Sequence, residues 1–105
     1  MYKILLLVLA LPAIAFAADD VYTIQIKGHR FEPAELTVPA GKKVKLIVEN
    51  NDATPEEFES HELNREKVIA GNSKGTIYIG PLSPGKYPYF GEFNAATAQG
   101  SIIAK

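Results

Sequence analysis

Pro84-Gly85-Lys86-Tyr87-Pro88-Tyr89-Phe90-Gly91-Glu92-Phe93-Asn94 reads as a Pro-Gly turn, a short aromatic strand and a loop. Side chains alternate between the two faces of a strand, so Tyr87 and Tyr89 point one way and Phe90 the other. Most of these rings belong to a core, while the ring sent to the opposite face meets solvent or an interface.

Similar short runs fill the rest of the chain. Val21–Ile26, Leu36–Val38, Val44–Glu49, Thr76–Ile79 and Ser101–Ile103 are rich in β-branched residues and alternate. Turn signals separate them at Lys27-Gly28, Pro39-Ala40-Gly41, Asn50-Asn51-Asp52, Gly71-Asn72, Pro81 and Pro84-Gly85. Short strands punctuated in this way predict an all-β sandwich or barrel of about seven or eight strands. Residues 54–69 are ambiguous. Thr54-Pro55-Glu56-Glu57 has the form of a helix start, with a capping Thr, Pro at the first helical position and Glu three residues after the cap. The apolar residues that follow make no helical stripe, which favours strands over 57–61 and 66–70 with a turn near Asn64. A helical turn at 55–60 is the alternative.

Residues 1–17 read as a secretory signal: Lys3, an apolar run from Ile4 to Leu11, and the small-x-small sequence Ala15-Phe16-Ala17. The run is shorter than the roughly 20 residues of a membrane-spanning helix. Cleavage there leaves one exported domain, 18–105. A chain of this size buries only about 60–65% of its unfolded surface, and zero cysteines deny it disulfides. Stability then rests on an efficient core, or on a bound metal or partner. Without Lys3 the eleven basic residues become ten, against twelve acidic ones. That balance offers no dense basic face for nucleic acid.

Counting strands up and down puts the turn at Gly28-His29-Arg30, the loop 50–57 and the loop 91–99 at one end of the sandwich. Loops on a rigid scaffold are where binding groups gather. The candidate ligands at this end are His29, Glu56, Glu57, Glu92 and Asn94, with Glu59 and His61 in a second tier. Carboxylates with imidazole suit iron, Mn, Zn or Cu(II), but not Cu(I). The competing reading is a set of solvated loop charges, with Glu59, Glu62 and Glu66 decorating an exposed strand face. Catalysis finds little support, since there is no Cys nucleophile and no nucleophile-elbow Ser.

Several blocks resemble the cupredoxins: Phe31-x-Pro33, Leu36-x-Val38-Pro39-Ala40-Gly41, Val44-x-Leu46-x-Val48-x-Asn50, Pro84-Gly85-x-Tyr87-x-Tyr89-Phe90 and Gly100-Ser101-Ile102-Ile103. More narrowly, Glu56–Ser60, Glu66–Ile69, Gly80-Pro81-Leu82 and Phe90–Phe93 resemble the EfeO-type cupredoxin-like domain, found beside bacterial periplasmic ferrous-iron permeases. The resemblance covers 21–105 and implies a Greek-key β-sandwich. It also implies a metal site, from which this chain departs. Glu56 stands at the position of the first His, Gly91 at the Cys and Asn94 at the second His; the axial Met falls on Ala98 or Gln99. Type 1 copper needs two imidazoles and a thiolate, so no type 1 copper is expected. The resemblance therefore implies an accessory protein that binds iron or Cu(II) and serves an inner-membrane iron permease, as a monomer or weak oligomer. Ferrous-iron oxidation would be its enzymatic version. A metal-free module that docks on a transporter or another partner is the alternative.

Overall fold

The computed structural model describes residues 20–105, so the signal expected over 1–17 lies outside the described residues. Nine strands follow one another: β1 (Asp20–Lys27), β2 (Arg30–Glu32), β3 (Glu35–Val38), β4 (Val44–Asn50), β5 (Glu56–Ser60), β6 (Arg65–Ile69), β7 (Ser73–Ile79), β8 (Gly85–Gly91) and β9 (Gln99–Ala104). One 3-10 turn, Glu92–Asn94, interrupts them. The strands form two mixed sheets, ordered β2-β1-β4-β7 and β3-β9-β8-β5-β6. Each sheet contains one parallel pair, β1 with β4 and β3 with β9.

The sequence predicted about seven or eight strands. The unforeseen one is β2, which is only three residues long and too short to display alternation. It pairs with β1 through Ile26 and Phe31, directly after a turn in which Gly28 and His29 both adopt positive φ, 59° and 56°. The helical alternative at 55–60 is not realised. Glu56, Phe58 and Ser60 face inward while Glu57 and Glu59 face outward, so tertiary burial of Phe58 in a period of two overrides the local helix-start pattern.

The inner faces supply a single core. Ile24, Ile26, Leu46, Val48 and Ile79 come from the smaller sheet, and Val38, Phe58, Ile69, Tyr89 and Ile102 from the larger. Three rings join the sheets. Tyr89 stacks on Phe58 with centroids 4.7 Å apart, and Phe31 meets Tyr89 edge-on at 4.9 Å. Such aromatic pairs contribute about 0.5–1.5 kcal/mol beyond their burial. Phe90 points out of the sheet, as alternation requires.

Strand directions fix what lies at each end. β1 and β4 run in parallel to Ile26 and Asn50; β7 starts opposite Asn50, and β8 ends at Gly91. The β1–β2 turn, residues 51–55, residues 70–72 and residues 92–98 therefore share one pole. Residues 39–43, 61–64 and 80–84 lie at the other, where the Gly41 N–H donates to the Leu82 carbonyl at 2.8 Å.

Candidate metal centre

Glu56 opens β5 on its inward face, in step with Phe58, and is only 1% exposed. A buried carboxylate is costly unless it is hydrogen-bonded, and this one has three donors. Its Oε1 accepts from the Glu57 N–H at 3.0 Å and the Phe93 N–H at 2.9 Å; its Oε2 accepts from Asn94 Nδ2 at 2.6 Å. Gly91 lies across from Phe58 in the β5–β8 register. A Cβ at Gly91 would sit 2.6 Å from both the Glu56 Cδ and the Ala98 Cβ. The loop is closed beneath them by Gly91 N–H to Ala98 O and Ala98 N–H to Asn94 O, each 2.8 Å. Positions 56, 91, 94 and 98 thus converge. Gln99, the other candidate for the axial position, is exposed and donates to the Ala95 carbonyl.

Glu57 and Glu59 take the opposite face. β6 returns antiparallel with Glu66 directly opposite Glu59, and oxygens of Glu57, Glu59 and Glu66 all lie within 4.8 Å of one another. Glu57 is pushed up to about 7. The main cause is a hydrogen bond shared with the Glu66 carboxyl, followed by desolvation and the charges of Glu66, Glu59 and Glu92. Desolvation first, and then a hydrogen bond and charge from Glu92, raise Glu59 as well, with His61 pulling the other way. A carboxylate can only accept hydrogen bonds, so bonds between these groups require a retained proton.

His29 shares the pole with Glu56, since its carbonyl accepts from Thr97 Oγ1 at 2.7 Å and Thr97 belongs to the loop that carries Asn94. Its exposed imidazole, however, turns to Asp52, with Nδ1 3.4 Å from Oδ2. Asp52 in turn accepts the His29 N–H at 2.9 Å and the Gly28 N–H at 2.8 Å. Those backbone bonds hold its carboxyl below the ordinary carboxylate range, His29 first. His61 stands beyond β5 with its ring 5.7 Å from that of Phe90.

The expected ligand set is therefore divided among separate places. Glu56 and Asn94 pair inside; Glu57, Glu59 and Glu92 gather on the outer face; His29 and His61 stand apart from both groups. The physical reason is the strand period, which sends adjacent Glu56 and Glu57 to opposite sides of one sheet. Glu66 lies on the exposed strand face, as expected, and there its carboxylate joins those of Glu57 and Glu59. The turn over residues 61–64 sets Glu66 against Glu59, two residues out of the register that strands over 57–61 and 66–70 would give.

A family model described as Cupredoxin-like domain matches residues 1–104. An uncharacterized protein of Rickettsia prowazekii (strain Madrid E) is 50% identical over 80 residues, covering 76% of this chain and 64% of that protein. The chain thus spans just under two thirds of that relative's length. Among solved structures, auracyanin A, a "blue" copper protein of Chloroflexus aurantiacus, superposes with a TM-score of 0.72 at 19% identity, covering 84% of this chain and 100% of the other. The metal-binding domain of the Cu(I)-exporting P-type ATPase CopA of Streptococcus pneumoniae D39 gives 0.65 at 16%, over 81% and 84% of the two chains. The sandwich, the converging positions 56, 91, 94 and 98, and the match along nearly the whole length lead to one assignment: this chain belongs to the cupredoxin-like domain family.

Proposed function

We propose that this chain is a periplasmic, metal-binding accessory protein that takes its cation on the outer carboxylate face instead of at a type 1 copper centre. The observation that carries the proposal is the gathering of Glu57, Glu59 and Glu66 oxygens within 4.8 Å, with Glu92 beside them. The charges that raise Glu57 are all carboxylates, so a cation relieves repulsion that the fold itself leaves standing. Oxygen donors of this kind suit iron, Mn and other hard or borderline ions.

Type 1 copper does not fit the residues at the pole. The chain has no cysteine, and the Glu56 oxygens are already committed to three N–H donors. The resemblance of Glu56–Ser60 and Phe90–Phe93 to EfeO-type domains supports iron, or copper-linked iron, as the physiological cargo. It also supports an inner-membrane iron permease as the partner, and residues 1–17 as the export signal that brings the protein to it.

Calorimetry and thermal melting of the metal-stripped protein with Fe(II), Fe(III), Cu(II) and Zn(II) test the proposal. Binding to the native state raises the melting temperature, and the Glu59→Gln/Glu66→Gln protein should lose that response while remaining folded. No rise with any of the four ions would instead favour the metal-free docking module.

A further inference from the structure

We propose that the Glu56 carboxylate is an internal clasp that ties β5 to the end of β8 and the β8–β9 loop, leaving this pole of the molecule closed and complete without a metal. The inference does not depend on the outer face binding a cation.

Four residues make the clasp, and each one is intelligible only with the others. Glu56 brings acceptors that reach 37 and 38 residues along the chain, to the Phe93 N–H and the Asn94 side-chain amide. A carboxylate has about four acceptor sites, and three are filled by these two donors and the Glu57 N–H. Gly91 provides the space, because any side chain there would strike the Glu56 carboxyl group. Ala98, fully buried, limits the volume from the other side, and its N–H fixes the carbonyl of Asn94 at 2.8 Å. Asn94 can present an N–H to the carboxylate, which a carboxylate in its place could not do. The result is a hydrogen-bonded polar knot where the positions that resemble the cupredoxin copper ligands meet.

One consequence concerns restoring single ligands. Asn94→His withdraws the amide donor from Glu56, and Gly91→Cys drives a Cβ into it. Neither change alone supplies the two imidazoles and the thiolate of a type 1 site, and each disturbs the clasp.

The test is residue-by-residue hydrogen exchange by NMR on the chelator-treated full chain. In the wild type, the Phe93 amide should exchange about tenfold or more slowly than an unprotected loop amide, although Phe93 itself is half exposed. Glu56→Leu removes its acceptor and should abolish that protection. Should that variant not fold, Asn94→Ala, which loosens the carboxylate without touching the core, should still speed Phe93 exchange severalfold and leave the β1–β4 amides unchanged. Free exchange at Phe93 in the wild type, or rates indifferent to Asn94→Ala, would overturn the proposal. So would Zn(II), a diamagnetic probe, slowing Phe93 exchange in the Glu59→Gln/Glu66→Gln protein, since a metal and not the carboxylate would then be the tie. Because that last arm disables the outer face, it separates failure of the clasp from failure of the cation site.

Discussion

A carboxylate that enters the interior of a sandwich must find donors there, and Glu56 finds them on a loop far along the chain. Alternation from Phe58 announces in the sequence that position 56 points inward. The charge argues the reverse, because Glu is almost never fully buried without partners. Those partners, the Phe93 N–H and Asn94 Nδ2, are set by tertiary approach and leave no local signal. The departure of positions 91 and 94 from cupredoxin ligands was legible; that the two departures compensate for Glu56 was not. Gly91 measures how tightly the group is packed. Gly91→Ala places a methyl 2.6 Å from Glu56 Cδ and Ala98 Cβ, and the clamped carboxyl has nowhere to swing. The expected cost is about 1–3 kcal/mol in chemical denaturation; an unchanged midpoint would show that the pole is loose.

At the scale of the element, the β5–β6 hairpin concentrates charge on one face. Its two strands were legible from the broken helical stripe and the turn near Asn64. The expected bounds 57–61 and 66–70 set His61 against Glu66, whereas the observed turn over 61–64 opposes Glu59 to Glu66. Glu92 was a candidate on its loop from the sequence; what the sequence does not convey is that the loop after β8 delivers it to hydrogen-bond with Glu59. The crowding fixes the sign of the pH dependence. Glu57 ordinarily loses its proton at 4.5 and keeps it in the folded protein to about 7. Between those values the folded state binds more protons than the unfolded one, so stability falls as pH rises through the window. Asp52 acts in a different range and with the opposite sign: its folded value lies below 3.8, and its contribution is lost as pH drops through that region. The metal-free protein should therefore melt at a higher temperature near pH 5 than near pH 8. Glu66→Gln, which removes the main charge beside Glu57, should flatten the difference. A melting temperature that rises from pH 5 to pH 8 would contradict the coupling among these carboxyls.

Across the whole molecule, a formal charge of −1 conceals one local concentration of carboxylates. Glu57, Glu59, Glu66 and Glu92 gather on the outer face of the larger sheet, while Lys42, Lys43, Lys86 and Lys105 lie toward the pole remote from Glu56. The two-poled layout was readable from strand counting alone; the division of the glutamates between core and surface needed the packed sheets. Repulsion within the acidic face extends over a few ångströms through partly exposed side chains, where dissolved salt competes effectively. Within the described residues, His29–Asp52 is the one ionic contact within 4.0 Å, so screening removes little attraction in return. Raising NaCl from about 0.1 M to about 1 M shortens the Debye length from about 10 Å to about 3 Å. At neutral pH this should raise the melting temperature of the metal-free protein, and the rise should vanish in the Glu59→Gln/Glu66→Gln variant. A cation held specifically would act at far lower concentration than NaCl and would saturate, whereas screening continues to grow with ionic strength. A melting temperature that falls with NaCl would mean that attraction, not repulsion, dominates the surface, and the outer face would then have no unbalanced charge with which to draw a cation.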